Sequence, residues 1–148
     1  MDTFEQVEIL LVEDNPHDAE FVTRALREGG FANRLHWVKD GQEAQDFLLR
    51  DNAYAGRAYG MPRLIFLDLK MPRVGGIELL QRIKADERTR HIPVVILTSS
   101  SEEIDVTRSY DLGVNSYVVK PMDLAELMQV ARRAGYYWLA INRLPGAE

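Results

Sequence analysis

Val7-Glu8-Ile9-Leu10-Leu11-Val12-Glu13-Asp14-Asn15-Pro16-His17-Asp18-Ala19 joins a short apolar run to a helix start across two acidic residues. The run from Val7 to Val12 has the length and apolarity of a strand buried on both faces. The helix start is equally plain: Asn15 can cap, and Pro16 suits the first helical position. Asp18 and Glu20 favour the positive end of the helix dipole, and Ala19, Val22 and Leu26 share one face. Gly29-Gly30 then ends the helix.

The same unit recurs along the chain. Further strands are predicted at Leu35 to Val38, Leu64 to Leu67, Ile92 to Leu97 and Ser116 to Val119. The first, third and fourth strands are almost wholly apolar and should be central. Helices are predicted after Asp40-Gly41, after Gly75-Gly76, from Glu102 to Leu112, and from Asp123 to beyond Ala134. This alternation argues for an α/β fold, a parallel sheet with helices on both faces, and right-handed crossovers leave few topologies. The one long connection, Asn52 to Arg63, carries Gly56, Gly60 and Pro62 and reads as a surface loop.

A chain of 148 residues fits one domain, of a size that buries roughly 70% of the surface its unfolded form exposes. With 18 Lys+Arg against 23 Asp+Glu the net charge is −5, which lacks the electrostatic footprint of a nucleic-acid binder. There are no cysteines, so disulfides, thiolate metal sites and a thiol nucleophile are excluded. No apolar run approaches the ~20 residues needed to span a bilayer. The reading is a cytoplasmic protein with neither a nucleic-acid nor a membrane partner.

In open α/β sheets ligands bind at the carboxyl ends of the strands. Strand one ends in Glu13-Asp14, strand three in Asp68, strand four in Thr98-Ser99 and strand five in Lys120-Pro121. If those strands are neighbours, three carboxylates converge and repel one another. A hard divalent cation with oxygen ligands relieves that repulsion, and Mg²⁺ suits a shallow site with one or two carboxylates and a phosphate. Lys120 adds a point charge for phosphate and Thr98 a hydroxyl donor.

On these residues, with Met71-Pro72 and Gly75-Gly76 after Asp68 and Tyr117 three residues before Lys120-Pro121, the sequence resembles the CheY-like response-regulator receivers. The resemblance covers about residues 7–134, leaving 135–148 as a C-terminal helix and tail extension of one receiver domain. Val12-Glu13-Asp14-Asn15-Pro16-His17-Asp18, the long loop before strand three and Tyr137-Trp138-Leu139-Ala140-Ile141-Asn142 resemble, more narrowly, the phytochrome-associated receivers.

The resemblance implies a doubly wound five-stranded parallel sheet of flavodoxin-like order 2-1-3-4-5. It implies a phosphoacceptor, Asp68, that takes its phosphoryl group from a sensor histidine kinase, here a bacterial phytochrome. Mg²⁺ would be bound by Asp14, Asp68 and the Lys70 backbone carbonyl, with Glu13 acting through a water. Lys120 would pair with the acyl phosphate, and Thr98, with the Ser99 amide, would meet the phosphoryl oxygens. Tyr117 would move from exposed to inward, and the Lys120-Pro121 bond is expected to be cis, which an X-Pro bond permits at low cost. The added charge would then rearrange the face formed by helix four, strand five and helix five. Lys70 departs from the small or polar residue of many relatives, and its ammonium could lean over the phosphate.

Plainer readings exist for single residues. A strand-end aspartate such as Asp68 can merely cap a turn, and Tyr117 can be an ordinary strand aromatic. Ser101 reads as a helix cap, and His17, His36 and His91 have no metal-ligand spacing. Tyr136, Tyr137 and Trp138 either fold on the core or form an exposed patch that pairs two subunits, and a homodimer is expected. A pseudo-receiver that binds partners without phosphorylation is the alternative. An aspartyl hydrolase would need a second acid two residues after Asp68, and a dinucleotide site a glycine-rich turn after strand one. With no room for an output domain, the chain reads as a stand-alone regulator whose signal passes to another protein of unknown identity.

Overall fold

The computed structural model describes residues 7–30, 34–57 and 60–143. Five strands, β1 (Ile9–Val12), β2 (Leu35–Val38), β3 (Leu64–Leu67), β4 (Val94–Thr98) and β5 (Ser116–Val119), alternate with five helices. These are α1 (Pro16–Glu28), α2 (Gly41–Leu49), α3 (Gly76–Ala85), α4 (Glu103–Asp111) and α5 (Leu124–Tyr136). All strand pairs are parallel and the order is 2-1-3-4-5. Every residue of β1, β3 and β4 is buried, as their unbroken apolarity requires of central strands.

Because side chains alternate across a strand, each central strand feeds two cores. Leu10, Val12, Ile65, Leu67, Val94 and Ile96 pack with Phe47 of α2 and with Leu79, Leu80 and Ile83 of α3. Ile9, Leu11, Leu64, Phe66, Val95 and Leu97 pack with Val22 and Leu26 of α1 and with Leu127 and Ala131 of α5. At the α1–α5 contact Gly135 has no room for a side chain, since an added Cβ would lie 2.5 Å from Leu26 Cδ2.

Register decides where the strand ends fall. Val12 lies level with Val38 on one side and Leu67 on the other. The ladder continues one residue further, with Glu13 N–H donating to Val38 O, Asp68 N–H to Val12 O and Lys120 N–H to Thr98 O. Glu13, Asp68 and Lys120 are therefore held by sheet hydrogen bonds and not by loops.

Several local expectations are corrected. β1 begins at Ile9, two residues later than expected, and β4 runs Val94–Thr98, because Pro93 has no N–H for the ladder and only its carbonyl pairs, with Ile65 N–H. Ser101 does not cap α4. Glu102 stands at the cap position with no side-chain cap bond, and Ser100 just before it accepts from Glu102 N–H and donates to Asp105. The Lys120-Pro121 bond is trans, as are all peptide bonds among the described residues. Trans is the intrinsically favoured isomer of an X-Pro bond, and from it the chain reaches Asp123, whose side chain caps α5.

The long connection is anchored more firmly than a surface loop. It forms a 3₁₀ turn at Asn52–Tyr54, and its Arg57 is buried. Arg57 Nε donates to Phe47 O in the last turn of α2, and its guanidinium lies over the Phe47 ring. The tail extends α5 by a π-helical turn, Tyr137–Ile141. Leu139 is buried there and Trp138 packs on the core, and Arg63 donates to Leu139 O. Tyr136, Tyr137 and Ile141 remain about half exposed.

The loop after Asp68 is braced against two helix starts. Gly41 N–H donates to Val74 O, and Gly76 N–H to Leu69 O. A Cβ on Gly41 would sit 2.1 Å from Val74 O and one on Gly76 2.4 Å from Asp68 O, so only glycine allows either approach. Asp40 completes the brace, accepting Glu43 N–H as the cap of α2 and both Nε and Nη2 of Arg73, at 2.8 and 3.0 Å. Arg73 has φ +63°, a left-handed conformation that the two-pronged pairing helps to hold. Burial opposes the Asp40 charge, but the Arg73 and Glu43 hydrogen bonds outweigh it and keep the carboxyl below its ordinary range. Asp40→Ala is expected to destabilise the fold by about 1–2 kcal/mol through loss of the cap, read as a lowered urea midpoint. An unchanged midpoint would show that the brace contributes nothing.

Candidate functional site

The carboxyl ends of β1, β3 and β5 and the first turn of α1 meet around one ammonium. Lys120 Nζ lies 2.6 Å from Glu13 Oε1, 2.9 Å from Asp18 Oδ2 and 3.3 Å from Asp68 Oδ2. All three of its protons thus have a carboxylate partner. The other Glu13 oxygen accepts Asn15 N–H at 3.0 Å, and Asn15 in turn caps α1 with its side chain. Trp37 Nε1 donates to Glu13 O at 2.7 Å, covering the same residue from β2.

Asp14 projects to the exposed side of this group. One oxygen from each of Glu13, Asp14 and Asp68 lies within 4.8 Å of the others, the one carboxylate group among the described residues close enough to share a cation. The donor set is all oxygen and all acidic, which fits a hard divalent ion with open positions for water or phosphate. Glu13 and Asp68 are buried and Asp14 is exposed, so such an ion would lie at the surface.

Electrostatics point the same way. Burial, reinforced by the Asp68 charge, pushes the Glu13 carboxyl up to about 8 against the pull of Lys120 and Asn15 N–H. Burial also works against the Lys120 charge, but its hydrogen bonds to Glu13 and Asp18 and the Asp68 charge win and hold the ammonium protonated. Three carboxyls facing one ammonium, with Asp14 beside them, leave negative charge that Lys120 alone cannot balance. The cleft between α2 and α3, about 340 Å³ and lined by Leu48, Leu79 and Ile83 among others, contains none of these groups.

Of the residues expected from the strand ends, Glu13, Asp14, Asp68 and Lys120 are brought together. Thr98 is fully buried at the end of β4, where its hydroxyl accepts Ser100 N–H at 3.4 Å, whereas Ser99 is exposed. Lys70 is exposed, and its N–H lies 3.5 Å from Asp68 Oδ1. Tyr117 departs from the expectation of an exposed ring: it is half-buried, packs on the core and donates its hydroxyl to Ser100 O at 2.8 Å. That bond ties the edge strand β5 to the β4–α4 connection. His36 is structural, stacked on Phe47 with Nε2 at 2.9 Å from Tyr54 Oη.

Asp18 is the residue missed. Local pattern marks it only as a complement to the helix dipole, yet α1 opens where β1 ends, so its first turn overhangs the crevice. Three acids within Glu13 to Asp18 were the available signal.

The response-regulator receiver-domain pattern matches residues 9–132. The chain is 43% identical over 138 residues to the probable methanogenesis regulatory protein FilR2 of Methanothrix harundinacea, covering 93% of this chain and 87% of that protein. It is 37% identical to the response regulator Rcp1 of Synechocystis sp., covering 94% and 93%. The crystal structure of Rcp1 with Mn²⁺ superposes with a TM-score of 0.87, covering 95% of this chain and 99% of that one at 36% identity. The phosphorylated cyanobacterial phytochrome response regulator RcpA gives a TM-score of 0.88 at 38% identity, with the same coverage. With the fold, the strand-end acids and the paired lysine in place, this chain belongs to the response-regulator receiver family.

Proposed function

We propose that Asp68 accepts a phosphoryl group from the phosphohistidine of a sensor histidine kinase, in a reaction supported by Mg²⁺. The convergence of the Asp68 carboxylate with Glu13, Asp14 and Lys120 carries this reading. An Asp68 oxygen attacks phosphorus, the bond from phosphorus to the imidazole nitrogen breaks, and the imidazole leaves. Lys120, already 3.3 Å from Asp68 Oδ2, is in reach of the charge that arrives. Asp14, Asp68 and the Lys70 carbonyl would hold Mg²⁺ directly, with Glu13 behind a water. The ion would supply positive charge against the acids and the incoming phosphate.

Thr98 and the Ser99 amide, at the end of the strand next to β3, would donate to the phosphoryl oxygens, and Tyr117 would follow the β4–α4 connection through its bond to Ser100 O. The surface that changes is then the α4, β5 and α5 face, read by a downstream protein. The likeness to the cyanobacterial phytochrome response regulator RcpA supports a bacterial phytochrome as the kinase. The half-exposed Tyr136, Tyr137 and Ile141 support a homodimer joined through the tail, which sedimentation equilibrium would report as twice the chain mass and a monomer mass would refute.

With acetyl phosphate and Mg²⁺ the intact protein should gain the mass of one phosphoryl group, and both Asp68→Asn and EDTA should abolish the gain. An autophosphorylated bacterial phytochrome should label the protein faster than a non-phytochrome kinase. Absence of labelling from every donor would instead favour a phosphorylation-independent binding module.

The raised Glu13 carboxyl gives a pH signature. In the metal-free protein the folded form holds a proton on Glu13 up to about pH 8, while the unfolded form releases it near its ordinary value, so stability falls as pH rises between the two. Mg²⁺ stabilises the ionised carboxylates. We expect Mg²⁺ to raise Tm more at pH 8 than at pH 5.5, and Glu13→Gln to flatten the metal-free pH dependence. Equal Mg²⁺ effects at both pH values would contradict the assignment.

A further inference from the structure

We propose that Asp18 is a positioning residue that competes with the phosphoryl group for Lys120 and so sets how readily the site holds phosphate. The inference rests on the phosphoacceptor reading of Asp68. The observation is the shared ammonium: Lys120 bridges Asp18 Oδ2 at 2.9 Å and Asp68 Oδ2 at 3.3 Å, so the two carboxylates lie within two hydrogen-bond lengths of one another.

The contact is built and not incidental. Asp18 sits in the first turn of α1, where Asn15 Oδ1 accepts its N–H at 3.1 Å and fixes the backbone. Its side chain is only 23% exposed and that of Lys120 9%, so this ion pair is screened less than one at the open surface. Glu13 also holds the ammonium, but it is the deeper partner, occupied on its far oxygen by Asn15 N–H. Asp18 is the more exposed of the two and approaches from the helix side.

Two consequences follow from charge. A phosphoryl group on Asp68 adds about −1.5 to −2 charges and strong acceptor oxygens, and Lys120 has no proton to give them without loosening a present partner. Asp18 is the partner that can be released to solvent, because Glu13 is buried and Asp68 carries the phosphoryl group. The Asp18 carboxylate also repels the incoming anion at short range. In the unphosphorylated protein it holds Lys120 ready beside Asp68, and in the phosphorylated protein it weakens the hold on phosphate.

Beryllofluoride, a non-transferable phosphoryl mimic, tests this at saturating Mg²⁺ by titration calorimetry on the full chain. Asp18→Asn keeps the shape and removes the charge, and should bind the mimic on the order of threefold to tenfold tighter than the parent protein. Asp18→Glu should return affinity toward the parent value, which a merely structural role for the side chain would not do. In a Lys120→Gln background, Asp18→Asn should give a smaller gain, since the competition acts through the ammonium. Equal or weaker binding by Asp18→Asn, with the parent binding normally, overturns the role of Asp18 alone. Failure of the parent to bind beryllofluoride at all overturns the phosphoacceptor reading beneath it.

Discussion

One buried ammonium joins parts of the chain that are far apart in sequence. Lys120 from the end of β5 reaches Glu13 after β1, Asp18 in α1 and Asp68 after β3. Burying a charge is costly unless it is paired, and the Asp68 charge adds to burial in raising the Glu13 carboxyl. Each side of this contact therefore depends on the other: without Lys120 the acids would repel, and without the acids the lysine would stand desolvated and alone. The residual negative charge of Glu13, Asp14 and Asp68 suits the group to a divalent cation.

The support around this centre is uneven. On the Asp68 side the following loop is clamped by backbone bonds from Gly41 and Gly76 and by the Asp40–Arg73 pair. Those contacts fix the loop after Asp68 relative to two helix starts and to the sheet. On the far side the β4–α4 connection hangs on Ser100, whose hydroxyl meets Asp105 and whose carbonyl accepts from Tyr117. These contacts join that connection to α4 and β5.

The tail and the long connection serve a second purpose. Arg63, just before β3, donates to Leu139 O, and Arg57 completes the end of α2. These two arginines convert segments that would otherwise be loop and terminus into parts of the packed body, with the aromatic residues Tyr136 and Tyr137 left facing outward.

Much of this was legible in the chain because periodicity and end signals are local. Apolar runs of strand length, the Asn15-Pro16 and Asp123 helix starts and the polar residues after each strand depend only on neighbours, and they identified the α/β class, the central strands and Glu13, Asp14, Asp68 and Lys120. What local pattern could not decide was contact between segments: that Asp18 overhangs the crevice, that Arg57 and Arg73 are structural partners, that Gly41 and Gly76 make room for a loop, that Tyr117 is already turned to Ser100, and that the Lys120-Pro121 bond is trans. Those outcomes are set by register and by the path of the chain out of each strand. They are properties of distance in space, and only the packed sheet brings the groups close enough for charge and volume to act.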